Sequence, residues 1–132
     1  MANEAVCIET PTRFRRVTVA DGTGIAIGTL MKITDPNTAA ATSADNDPFA
    51  GIAWEEKTAS DGITEITVAV NGVWDVTTTD AAITAGAFVS IGGANLVSTM
   101  AEADFPTGAF VGKADEDCTG TEVIRVRVGE IV

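Results

Sequence analysis

The sequence predicts an all-β fold, a compact β-barrel or sandwich built from two diverged β-modules, with an extended N-terminal arm. Three observations predict it. Thirteen glycines and many Thr and Val residues, with few long runs of helix formers, favour short strands joined by frequent turns. Ile66, Val68 and Val70 alternate with Thr67, Ala69 and Asn71, the period of two expected of a strand with one buried face. Finally, Gly28 and Gly86, Ile33 and Ile91, Pro48 and Pro106, Gly62 and Gly120, Ile66 and Ile124, and Val70 and Val128 are each separated by 58 positions. Two copies at so long a period indicate a duplication rather than a solenoid.

In chain order, residues 1–16 alternate weakly through Val6 and Ile8. Pro11 argues against a central strand, and the segment ends in Arg13-Phe14-Arg15-Arg16, which suits an extended arm. The body, residues 17–132, divides into pseudo-repeats at about 17–76 and 77–132. Val17-Thr18-Val19 reads as a short strand closed by a turn over 20–24, and Gly28 as a bend into a strand over 30–34 that Asp35-Pro36-Asn37 terminates. Residues 38–47, small and polar without period, read as a surface loop.

Residues 51–76 read as a hairpin followed by a continuing strand. Ser60-Asp61-Gly62 supplies the turn, Asn71-Gly72 a second turn or a bulge, and Val73, Trp74 and Val76 further apolar material. Glu55, Glu56 and Lys57 read as a solvated turn. In the second module Phe88, Val89 and Ile91 echo Leu30, Met31 and Ile33, and Gly92-Gly93-Ala94-Asn95 makes a hairpin turn. Thr99 to Glu102 has capping-box spacing, so one helical turn is expected to Asp104 before Phe105-Pro106 stops it. Residues 110–114 match the first module only after a local three-residue shift. The last strand places Ile124, Val126 and Val128 inward and Val123, Arg125 and Arg127 outward.

The formal charge of −11 opposes binding to phosphate backbones, so direct nucleic-acid binding is not expected. Charge is unevenly spread. Residues 1–16 hold three Arg against Glu4 and Glu9, a net of +1, which leaves five basic and 17 acidic side chains in the body, a net of −12. Cys7 and Cys118 read as reduced thiols rather than a bridge, because no secretion signal or membrane-length apolar run is present; the expected site of synthesis is the cytoplasm.

Reactive groups are scarce. The chain has no His and no Tyr, and no nucleophile elbow, phosphate loop or dinucleotide fingerprint, so an enzyme and a cofactor are not expected. Asp45-Asn46-Asp47 lacks the ligand spacing of a calcium loop, and Asp115-Glu116-Asp117 reads as solubilising; no metal site is expected.

Several motifs, taken in order and combination, resemble the small tailed-phage capsid decoration (cement) proteins of the DUF2190 type. They are Ala81-Ala82-Ile83-Thr84-Ala85-Gly86 leading into a strand, the Gly-x-Ala strands at Gly51 and Gly112, and the Glu-led strand from Glu65 closed by Gly72. The resemblance covers about residues 17–132. It implies a structural virion protein on the outer capsid surface of a bacteriophage head, a homotrimer whose partner is the major capsid protein, with no catalytic motif. The Arg-bearing arm and the acidity of the body depart from that pattern. The contact residues expected toward capsid or protomer are Arg13, Phe14, Arg15, Arg16, Arg125 and Arg127. A small β-barrel binding module, tail-associated or ligand-binding, is the alternative.

Overall fold

A computed structural model describes residues 2–131. The strands are β1 (Val6–Glu9), β2 (Phe14–Thr18), β3 (Leu30–Asp35), β4 (Thr38–Ala41), β5 (Phe49–Ala53), β6 (Glu65–Ala69), β7 (Gly72–Thr78), β8 (Phe88–Gly93), β9 (Leu96–Thr99), β10 (Phe110–Ala114) and β11 (Val123–Val128), with a 3-10 helix at Glu102–Thr107. They form two closed five-stranded barrels. Barrel 1 runs β2-β4-β3-β5-β6 and returns on itself through a parallel Thr18–Thr38 pair. Barrel 2 runs β7-β11-β10-β8-β9 and closes through the parallel pairs of Thr77 with Leu96 and Thr78 with Val97. Closure leaves few open edges, which is how strands this short hold a stable sheet.

The period of two in the sequence becomes the inside and outside of each barrel. Ile66 and Val68 of β6 point into a core shared with Val17, Met31 and Ala53. Ile124, Val126 and Val128 of β11 do the same in barrel 2, around Trp74, Ile91 and Val111. The alternation also holds for Arg125 and Arg127, which sit half-buried on the outer face.

The repeat is structural as well as sequential. Gly28 and Gly86 share a left-handed backbone at φ 92 and 90, and Asn37 and Asn95 share another at φ 52 and 58, one in each hairpin turn. The bridge Ile25–Lys57 recurs as Ile83–Cys118. Spacing changes where the chains diverge: β5 and β10 are offset by three further residues, accommodated by the 3-10 helix that barrel 1 lacks. The first strands differ by one more, since Val17 faces Ile66 in barrel 1 while Val76 faces Ile124 in barrel 2.

The barrels are packed end on. Leu30 and Ile52, which point outward from barrel 1, belong to the core cluster of barrel 2, with Phe49 and Trp54 packed against it. Asn95, fully buried, fastens the junction: its Oδ1 accepts the Leu30 N–H at 2.9 Å, its Nδ2 donates to the Ala2 carbonyl at 2.9 Å, and its N–H donates to Thr42 Oγ1 at 3.0 Å. Asn46 N–H adds a bond to the Ile91 carbonyl at 2.9 Å.

Four sequence expectations are corrected. Residues 38–41 are strand β4, with Ala39 inside the barrel, because a five-stranded barrel is narrow and small inward residues fit it. Lys57 is buried, not solvated. The first module ends near Asn71, and Val73, Trp74 and Val76 belong to the second barrel as β7. Pro106 lies inside the 3-10 helix rather than stopping it, and Ala101 offers no side-chain cap.

Candidate interaction surface

Beyond the bond from Asn95 to the Ala2 carbonyl, the N-terminal segment is stitched to the body at three further places. Ala5 is buried and exchanges a backbone bond with Gly28, its N–H donating to the Gly28 carbonyl at 2.8 Å. A Cβ at Gly28 would overlap the Ala5 carbonyl, so glycine is required there for space as well as for its φ. β1 then adds to the edge of β7, antiparallel, with Cys7 opposite Trp74. Finally Asn71 Oδ1 accepts the N–H groups of Thr12 and Arg13 at 2.9 and 3.1 Å, while Nδ2 donates to Thr12 Oγ1 at 2.9 Å. From Phe14 onward the chain is strand β2 of barrel 1, so residues 14–16, placed in the arm on sequence, are part of a barrel wall.

The six residues singled out from sequence fall into two groups. Arg16 Nη1 donates to Glu55 Oε1 at 2.8 Å and to Thr67 Oγ1 at 3.1 Å, and its Nε lies 3.6 Å from Glu65. Arg125 Nε is 3.5 Å from Asp75 Oδ1 on β7, and Arg127 Nε is 2.9 Å from Asp115 Oδ1, with Glu130 at 3.8 Å. These three cations are matched within the chain, across strands or neighbouring turns. Phe14 stacks obliquely on Trp54 at 5.4 Å, and Trp54 meets Trp74 edge-on at 6.0 Å. The side chains of Arg13 and Arg15 make no ion pair or hydrogen bond among the described residues.

Backbone groups are also available here. Thr18 N–H donates across the barrel seam to the Asn37 carbonyl, while Val19 N–H and the Arg13 carbonyl bond to the β6 side. By strand alternation, the N–H and C=O groups of Phe14 and Arg16 therefore face the seam, where β4 pairs only with Thr18. The matching stretch of β7 is covered by β1, so barrel 1 keeps a short open edge that barrel 2 lacks. β1 itself is the outer strand of its sheet, with Val6 and Ile8 exposed.

Beside the open edge lies a groove of ≈ 270 Å³ lined by Arg15, Val17, Ile33, Asn37, Thr38 and Ala50. On barrel 2, next to the 3-10 helix, a second hollow of ≈ 350 Å³ is lined by Phe88, Met100, Glu102 and Phe105. Phe110 extends this face, in edge contact with Phe88 at 5.4 Å and 5.7 Å from Phe105.

The acidic clusters serve turns. Asp47 Oδ2 accepts the N–H groups of Ser43 and Ala44; burial alone would raise its pKa, but those bonds and the Lys32 ammonium at 3.4 Å outweigh it and hold it below the usual carboxylate range. Asp117 Oδ1 accepts the Ala85 N–H. Glu55 is likewise lowered, first by hydrogen bonding to Thr67 and then by Arg16. Among the described residues no helix is long and apolar enough to cross a membrane.

Sequence reasoning missed Lys57. Its ammonium sits at one end of barrel 1, donating to the Asp21 carbonyl at 2.7 Å, Asp61 Oδ1 at 2.9 Å, Asp21 Oδ1 at 3.1 Å and the Thr58 carbonyl at 3.1 Å. Desolvation works against that charge, yet Asp61 and Asp21 more than compensate, and the pKa lies above the ordinary lysine value. Barrel 2 has the Cys118 thiol in the same place, near Thr78 Oγ1 and the Ala81 carbonyl. The one sequence signal for this plug was the match between Ile25 and Ile83, which aligns the two bridges.

No family model matches the chain, and a search of curated proteins finds no match to it.

Proposed function

We propose that this protein is a structural virion protein that decorates and stabilises the outside of an icosahedral bacteriophage capsid, acting by adhesion and not by catalysis. The observation that carries the reading is the N-terminal corner of barrel 1, where an open strand edge, an exposed Phe14 and the two unmatched guanidinium groups of Arg13 and Arg15 sit together on an otherwise acidic body. An edge of this kind accepts a neighbour's strand, and the paired cations select an acidic one. Motif order supports the same reading. A shell under internal pressure is strengthened by many modest contacts bridging its subunits, and symmetry multiplies each of them. In this reading the partner is the major capsid protein and the protein acts as a homotrimer.

The test is to mix the purified protein with undecorated, expanded heads and count bound copies by cryo-EM. Wild type is expected to saturate symmetric positions. Removing residues 1–16 is a poor variant, because Ala5 and β1 belong to the fold. Arg13→Glu leaves those contacts intact, so thermal stability should hold while affinity for heads falls roughly tenfold, more at low salt than at high salt. Heads left bare by the wild-type protein would end the proposal.

A further inference from the structure

The junction inside the chain shows how one barrel end is meant to be covered. Barrel 2 presents Trp74, Ile91, Asn95 and Val111 at the end facing barrel 1, and all four are buried there. Barrel 1 covers them with Leu30, Thr42 and Phe49, and also with Ile52 and Trp54, whose counterparts in barrel 2 are the charged Lys113 and Asp115. The repeat maps the covered end onto a largely exposed counterpart and the covering face onto a half-buried one. The covered end of barrel 2 corresponds in barrel 1 to Arg15, Ile33, Asn37 and Ala50, the open groove, where Ile33 is 49 % exposed although its counterpart Ile91 is fully buried. The covering face of barrel 1 corresponds in barrel 2 to Phe88, Met100 and Phe110, beside Phe105, which is 51 % exposed.

The polar groups are matched as well. Asn95 accepts the Leu30 N–H; its counterpart Asn37, held at the same left-handed φ, makes no side-chain hydrogen bond among the described residues. The donor equivalent to Leu30 N–H is that of Phe88. The Phe88 carbonyl receives the Met100 N–H as Leu30 receives Thr42, but among the described residues the Phe88 N–H has no acceptor. Arg15 at the groove and Glu102 on the aromatic face are charges of opposite sign, each without an ion pair among the described residues.

We infer that two copies of this chain associate head to tail, the aromatic face of barrel 2 in one copy closing the open end of barrel 1 in the next, with the Phe88 N–H given to Asn37 Oδ1 as Leu30 gives its own to Asn95. Such an interface is heterologous: each copy offers one socket and one plug, so it satisfies every copy only by closing into a ring. It goes beyond the proposed capsid role and stands on the repeat alone; the trimer proposed above would be one such ring.

The test needs no heads, so its failure would take the ring-like trimer out of the capsid reading but leave head binding, which is tested separately, intact. Native mass spectrometry and light scattering of the wild type at roughly 10 µM are expected to show a closed oligomer of one mass. Ile33→Asp spoils the socket and Phe105→Asp the plug. Both positions are exposed, so both variants should keep the wild-type circular dichroism and unfolding midpoint, while each alone loses roughly 30-fold or more in self-affinity and runs as a monomer. An equimolar mixture should recover a single good interface and yield a one-to-one dimer. Asn37→Ala provides a second, milder variant with the same direction. A monomeric wild type, variants that assemble as the wild type does, or a mixture that stays monomeric would overturn the inference.

Discussion

Replacing Lys57 with methionine is expected to lower the unfolding midpoint at pH 7 by on the order of 10 °C, although the new side chain matches the old one in length and shape. The physical reason is what stays behind. Asp21 and Asp61 converge on the buried ammonium, and without it two carboxylates face each other across the end of barrel 1. Asp61→Asn should cost less, because Lys57 keeps Asp21 and two carbonyls.

The pH profile separates this account from simple packing loss. Asp61 is held below the ordinary carboxylate value, first by Lys57 and then by the Ile63 and Thr58 N–H groups. Its contribution is present above the unfolded value near ~4 and is lost as pH falls through the lower folded value. Lys57 is raised, so its contribution is present below the unfolded value near ~10.4 and is lost as pH rises through the higher folded one. Thermal scans followed by circular dichroism at both extremes should show the methionine variant's alkaline decline shrinking to what remains from the Cys7 thiol, which burial also raises. Its acid decline should shrink without vanishing, since Asp47 and Glu55 are also depressed. A variant that merely shifts the whole profile downward would count against an electrostatic plug.

Asn95→Ala is expected to cost about 3 kcal/mol, close to 10 °C in the midpoint, from two separable sources. A buried Leu30 N–H and the Ala2 carbonyl lose their partner, and alanine must adopt a φ of 58 that asparagine tolerates better. Asn95→Gly removes the side chain but not the backbone freedom, so the difference between the two variants measures the strain, about 1 kcal/mol. The same change at Asn37 strains an identical turn with no side-chain bond to lose, so in the isolated chain it should cost only that smaller amount. Denaturant midpoints of the three variants test this; equal losses at positions 37 and 95 would mean that the junction is not fastened by hydrogen bonding.

What the sequence disclosed was governed by local periodicity. Alternation of Ile and Val placed β6 and β11 with the correct faces inward, and the 58-residue spacing marked the duplication, because both are carried by side chains that must fill a barrel. β4 was hidden for the opposite reason. Thr-Ala-Ala-Ala has no contrast between faces, as the narrow interior takes alanine where a broader sheet would take valine. Lys57 was read as solvated because its partners, Asp21 and the Asp61 turn, are brought to it by barrel closure and not by neighbourhood in the chain. The same limit applies to the candidate surface. Three arginines within four residues announce a charged segment, but only the register of β2 on β6 shows that Arg16 is matched by Glu55 and Glu65 while Arg13 and Arg15 are not.

The placement of β1 on β7 has a consequence for biosynthesis. Strands β2 to β6 can close barrel 1 while later residues are still in the ribosome, but β1 must wait until β7 is set in its own sheet, which needs the later strand β11. During that interval a short apolar segment, Val6 to Ile8, is left dangling beside a finished domain. The nascent chain is then most vulnerable to capture by a sister copy, whose own β7 offers the same seat.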